Sequence, residues 1–282
     1  VGAYKIPRFI EKCARAGCNN IFIGLENLNP DSLAGAKKLQ NKIWQYRKML
    51  QAWKDHGCTT VAGYILGFPT DTPESIARDI EIIKNELPLD GLEFFCLTPL
   101  PGSEDHRKHC ERGAWIEPDM NKYDLEHVTM GHPLMSKEEW QRTYRNAWKQ
   151  YYTEEHIERV LYRAAAKDQD IYKVMFLLLC LGGSIALEGI HPLEAGMFRL
   201  KVRTMRRPGM PLENPLIFYP RRAWEIMSLS VRWLNLVRRF FKILRRVQAR
   251  PQQPGEVDLA MVPVEDQKDE DLTLLQVYRD HI

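Results

Sequence analysis

The chain has 282 residues, 44% of them hydrophobic and 27% charged, which is enough for one sizeable core plus an extension. The six cysteines (Cys13, Cys18, Cys58, Cys96, Cys110 and Cys180) are too scattered for a disulfide scaffold, and no charged stretch leads into an apolar run with a cleavage site. The net charge of +3 hides three blocks: residues 199–250 carry +12, residues 251–282 carry −6, and the first 198 carry −3. Reduced thiols and a cytoplasmic location follow as expectations, and the charge blocks mark separate regions.

In chain order, Pro7 to Ala16 reads as a helix, and Asn20-Ile21-Phe22-Ile23-Gly24-Leu25 as a short buried strand. Ala36 to His56 is a helical stretch ending at Gly57, followed by a second strand from Thr59 to Gly67 that Pro69 closes. Thr72 caps a helix opening with Pro73, whose apolar face is Ile76, Ile80, Ile83 and Leu87. Gly91 to Leu97 is the third strand, stopped by Thr98-Pro99. Strands joined by helical crossovers pair in parallel, in an open sheet or part of a barrel, and Glu26, Pro69 and Thr98 fall at their C-terminal ends.

After Trp115 helical signals dominate, through Ser136–Lys149 and Thr153–Ala166. Val174 to Leu187 is apolar but short for a bilayer span and reads as a buried or interfacial helix. His191 to Tyr219 reads as irregular, Trp224 to Val247 as a basic amphipathic helix, and Pro251 onward as a mobile acidic tail. The domain reading is therefore 1–115 for the α/β part, 116–190 for a helical extension, 191–250 for the basic segment and 251–282 for the tail.

Two glycines, Gly63 and Gly67, bracket Ile65 in Gly63-Tyr64-Ile65-Leu66-Gly67-Phe68-Pro69, so backbone can approach a flat ring while Ile65 offers an apolar contact. This string, with Ile23-Gly24-Leu25-Glu26-Asn27 before it and Leu97-Thr98-Pro99-Leu100-Pro101-Gly102-Ser103 after it, resembles the fourth, fifth and sixth strand ends of the radical S-adenosylmethionine (SAM) superfamily. That resemblance implies an α/β fold, the second half of a partial (β/α)6 TIM-like barrel followed by a mainly helical extension. It further implies SAM bound near Glu26, Gly63, Ile65, Gly67, Leu97 and Thr98, with Glu26 on the ribose and Leu97 and Thr98 bordering the adenine.

The family's CxxxCxxC loop is absent, so the resemblance implies a chain truncated at its N-terminus. Its 4Fe-4S cluster and, for the cobalamin-binding subgroup, the cobalamin domain would lie upstream. The implied activity is reductive cleavage of SAM to a 5′-deoxyadenosyl radical, fed by a reductant protein such as flavodoxin or ferredoxin, with an unknown substrate. No catalytic residue and no metal ligand are assigned within the chain. His106, His109 and Cys110 share a helix face but sit among charges that suit a solvated helix, and His132 and His191 precede prolines in loops. The rival expectation is a noncatalytic module held peripherally on an anionic membrane by 224–247; nucleic acid is not expected as a partner.

Overall fold

Runs rich in β-branched and aromatic residues become three parallel strands, β1 (Asn20–Glu26), β2 (Thr59–Leu66) and β3 (Gly91–Cys96). The computed structural model describes residues 6–29, 43–196, 201–249 and 258–264. The sheet order is β1-β2-β3, with Gly24 opposite Gly63 and Gly63 opposite Glu93. Helix α1 (Phe9–Arg15) precedes β1; α2 (Ile43–Asp55) and α3 (Pro73–Glu86) are the crossovers that parallel neighbours require. The start of α3 is set locally. Thr72 Oγ1 accepts from Ser75 N at 3.1 Å, Ser75 Oγ accepts from Thr72 N at 2.9 Å, and Pro73 supplies a preset first turn.

Alternation along the strands sends Leu25, Ala62, Tyr64, Leu66, Leu92 and Phe94 to one face, where they are buried with the apolar stripes of α2, α3 and α5 (Lys137–Tyr151). Phe94 sits at the centre, its ring edge-on to Tyr64, Trp148 and Tyr151 at 6.1, 5.3 and 6.1 Å. The other face carries Phe22, Gly24, Val61, Gly63, Ile65, Gly91, Glu93 and Phe95. Near the strand starts this second face is covered by α7 (Ile171–Gly183): a Cβ on Gly91 would lie 2.7 Å from Leu181.

Those contacts correct the expected barrel. Helices flank both faces of an open three-stranded sheet, a Rossmann-like α/β arrangement, and α7 occupies the face that a TIM-like barrel would turn toward its own axis. Buried polar ties complete the lower rim. Lys54 donates to Asp90 and to Gln169 Oε1 (2.8 Å), while Asp90 Oδ2 accepts from Thr60 N at 2.8 Å.

Beyond the sheet, α4 (Glu104–Glu111) is a short surface helix, and α6 (Glu154–Ala166), α7 and α8 (Pro215–Ala249) build a second core. The C-terminal half of α8 contributes to it, with Phe240, Ile243, Leu244 and Val247 buried and Trp233, Leu236 and Val237 packed at its edge. A π-helical turn, Ser184–Glu188, extends α7. The run Ile171–Glu188 is long and apolar enough to cross a membrane, the one such stretch among the described residues; it packs on β3, α6 and α8, and 39% of it is buried.

The α8 helix starts well before Trp224. Asn214 Oδ1 accepts from Leu216 N at 2.9 Å, and Pro215 takes the first helical position, where its missing N–H costs nothing. Much of the acidic tail, and residues 36–42 of the expected second helix, lie outside the described residues. The described stretch 258–264 is anchored: Asp258 accepts two bonds from the buried Arg163 at 2.6 and 2.8 Å, and Ala260 is fully buried.

Candidate functional site

The C-terminal strand ends are tied together by one buried carboxylate. Asp71 Oδ2 accepts from Gly67 N (2.9 Å) and Phe68 N (3.0 Å), closing the turn after β2, and Asp71 Oδ1 accepts from Asn27 Nδ2 (3.2 Å) beyond β1. His132 braces the same turn. Its Nδ1 accepts from Leu134 N and Met135 N at 3.1 Å, which leaves Nε2 as the protonated nitrogen donating to Phe68 O at 2.8 Å. The loop histidine before Pro133 is thus structural.

Gly67 has φ +108°, and a Cβ there would lie 1.8 Å from Trp140 Cζ2. Its missing side chain is accounted for by Trp140 and by a left-handed turn. Gly63 differs, because its notional Cβ meets the outer atoms of two rings, Phe22 at 2.9 Å and Phe95 at 3.0 Å, and Phe22 is 59% exposed. Gly24 and Gly63 stand opposite each other across β1 and β2, forming a strip over which the rings of Phe22 and Phe95 and the carboxylate of Glu26 lean.

Glu26 borders that strip. A bulge between Gly24 and Glu26 and a left-handed φ of +67° at Glu26 fold its carboxylate back, so that Oε1 would be 2.7 Å from a Cβ on Gly24. Tyr46 donates to Gly24 O at 3.2 Å, and burial together with the nearby Glu26 pushes its phenol up to about 12, so it stays a donor. Ile65 is half-buried on the same face. At the end of β3, Leu97 N donates to Leu66 O (2.8 Å) and Thr98 Oγ1 donates to Cys96 O (3.0 Å), with both side chains half-buried. The fold therefore places Gly63 and Ile65 on one face with Glu26, Leu97 and Thr98 at its rim, and turns Gly67 toward Trp140.

Two residues on this face carry no obvious sequence signal. Glu93 is buried opposite Gly63, and its Oε2 lies 3.9 Å from Nε2 of His191, whose ring packs on Phe95 at a centroid distance of 4.9 Å. Neither atom has a hydrogen-bond partner among the described residues. Burial pushes the Glu93 carboxyl up and the His191 imidazole down to about 4, so both favour their neutral forms. Strand alternation alone places Glu93 on the glycine face, whereas only the folded chain brings in His191.

Oxygen and nitrogen ligand atoms of Asp124, Glu126 and His127 lie within 4.8 Å of one another. They are engaged in shaping their own loop: Asp124 accepts from Glu126 N, His127 N and His127 Nδ1, and Glu126 Oε2 accepts from His191 N at 2.7 Å.

No protein-family model matches the chain. It is similar to bacteriochlorophyllide d C-12(1)-methyltransferase of Chlorobaculum tepidum, 30% identical over 124 residues, which are 43% of this chain and 26% of that protein. It is similar to bacteriochlorophyllide d C-8(2)-methyltransferase of the same organism, 25% identical over 128 residues, 44% of this chain and 28% of the relative. An uncharacterized methyltransferase of Pyrococcus horikoshii is 24% identical over 155 residues, 52% of this chain and 33% of the relative. The chain spans about a quarter to a third of the length of the curated relatives it matches.

These relatives are named methyltransferases, and they correct the expected identity. Their names contradict the expected membership of the radical SAM superfamily, a radical SAM enzyme and reductive cleavage, and they give no support to the 4Fe-4S cluster or cobalamin. A flavodoxin or ferredoxin reductant is required only by that cleavage. The physical reason lies in the motifs themselves. The Gly67 turn held by Asp71 and the Thr72 cap are local devices for leaving a parallel strand and entering a helix, so they serve an open α/β sheet as well as a barrel.

Proposed function

We propose that this chain is part of a SAM-dependent methyltransferase and that the Gly24–Gly63 strip of the sheet holds the nucleoside end of SAM. The observation that carries the reading is the pairing of two glycines across neighbouring strands, beneath the largely exposed ring of Phe22. Once the exposed Phe22 ring turns aside, a flat ring lies against backbone there, with Ile65 and Leu97 as apolar contacts and the folded-back Glu26 placed to accept from ribose hydroxyls. SAM supplies a methyl group on a sulfonium when bound. The names of the three relatives support the same reaction class. Titration calorimetry with S-adenosylhomocysteine tests the reading: Gly63→Leu should weaken binding at least tenfold, about 1.4 kcal/mol, while circular dichroism stays unchanged. Equal affinity in a folded Gly63→Leu protein counts against it.

We also propose peripheral attachment to anionic membrane through the outer part of α8. Trp224, Met227, Val231 and Leu234 follow helical spacing, and each is about half exposed or more, next to Arg232 and Arg238.

A further inference from the structure

A cavity of about 640 Å³ lies between α5, the π turn and α8, within the roughly 300–1,000 Å³ range of small-molecule pockets. Its two long walls differ in chemistry. Gln141, Tyr144, Arg145, Trp148 and Lys149 recur at helical spacing on one face of α5 and present hydrogen-bond donors. Leu236, Phe240 and Ile243 of α8 face them, with Ile157 and Ile185 closing the apolar side.

The two cations of this wall are the groups left without an acid among the described residues. The Tyr144 hydroxyl and the Trp148 indole N–H are buried next to each other in the wall behind the cavity, and both residues line it. Arg145 and Lys149 are exposed at the rim and form no ion pair among the described residues. The carboxylates nearby are taken: Glu154 pairs with Arg246 at 2.7 Å and Arg239 at 3.6 Å, and Glu126 accepts from His191 N.

The framework holds this space open. Trp233 fills the place of a side chain at Gly183, where a Cβ would lie 2.6 Å from its ring, and its Nε1 donates to Glu188 Oε1 at 3.1 Å. That prop sets α8 off from α7. The π turn, a feature often found at functional sites, brings Ile185 and Ala186 to the cavity and ends at Gly189 with φ +68°.

We propose that this cavity binds an amphipathic molecule with a carboxylate head. Its apolar body lies against Leu236, Phe240 and Ile243, and its head meets Arg145 and Lys149. The site is separate from the Gly24–Gly63 strip and stands whether or not that strip holds SAM.

Fluorescence titration of the protein with cis-parinaric acid and its methyl ester is the test. The expected result is saturable binding of one acid per chain, with the ester at least about tenfold weaker. Arg145→Ala combined with Lys149→Ala should lower affinity for the acid about tenfold and leave the ester unchanged. Ile185→Trp should abolish binding of both; if it unfolds the protein by circular dichroism, Ala186→Leu replaces it as the filling variant. Equal affinity for acid and ester, non-saturable binding, or full binding in a folded filling variant overturns the proposal.

Discussion

A methyl group added at Gly67 would meet the indole of Trp140 and a backbone at φ +108°, whereas one added at Gly63 would meet rings of which Phe22 is free to swing toward solvent. The two glycines therefore separate under substitution. Gly67→Ala should cost about 3 kcal/mol from overpacking and left-handed strain, and Gly63→Ala less than about 1 kcal/mol. Urea unfolding measures both, and similar losses would contradict this division of roles. Replacing Asp71 with Ala should cost about 2–3 kcal/mol, because Gly67 N, Phe68 N and Asn27 Nδ2 all lose their acceptor.

Buried histidine gives the molecule a pH dependence. His156 is buried with neither ring nitrogen hydrogen-bonded among the described residues, and burial reinforced by the nearby Arg163, Lys84 and Arg159 holds its pKa well below 6.5. Below pH 6.5 the unfolded chain gains a proton that the native state refuses, so stability falls with falling pH, by at most about 1.4 kcal/mol per unit. His191, down to about 4, acts with the same sign; Glu93, pushed up, acts oppositely above the ordinary carboxylate range. Unfolding curves between pH 7 and 5 should show a smaller decline for His156→Phe than for the parent. An unchanged decline would mean that His156 is protonated in the native state.

Along α8, the part from Trp233 onward packs on the second core, while the part before it is largely exposed apart from Phe218. Trp233 and Phe240 belong to the packed part, Trp233 wedged at Gly183 and Phe240 buried, so neither is available to a membrane. Trp224→Ala with Val231→Ala should reduce co-sedimentation with anionic vesicles at low salt and leave thermal stability within about 0.5 kcal/mol. Equal, negligible sedimentation with anionic and neutral vesicles would reduce the stripe to surface.

The strands and the α3 cap were legible because their signals are local: β-branched runs closed by Pro69 and Thr98, and Thr72 followed by Pro73. The helix-starting pair Asn214-Pro215 is equally local, yet Pro220 disguised it by suggesting irregular chain. Contacts between distant segments were not legible. Nothing near Gly67 announces Trp140, and nothing near Glu93 announces His191. Barrel and open sheet likewise share their local strand-end devices, and only the position of α7 on the second face separates them.

At the scale of the whole molecule, the account joins a parallel α/β sheet, a glycine strip at its open end and a helical extension that encloses a separate amphipathic cavity. Its central claim is that SAM lies on the strip. Ultraviolet photolabelling of the protein with S-adenosyl-(methyl-³H)methionine, followed by peptide mapping, tests it most directly. The account predicts label within residues 20–26, 59–72 or 91–98, diminished by excess S-adenosylhomocysteine and by Gly63→Leu. Label confined to residues 137–249, or label that S-adenosylhomocysteine does not displace, would contradict it.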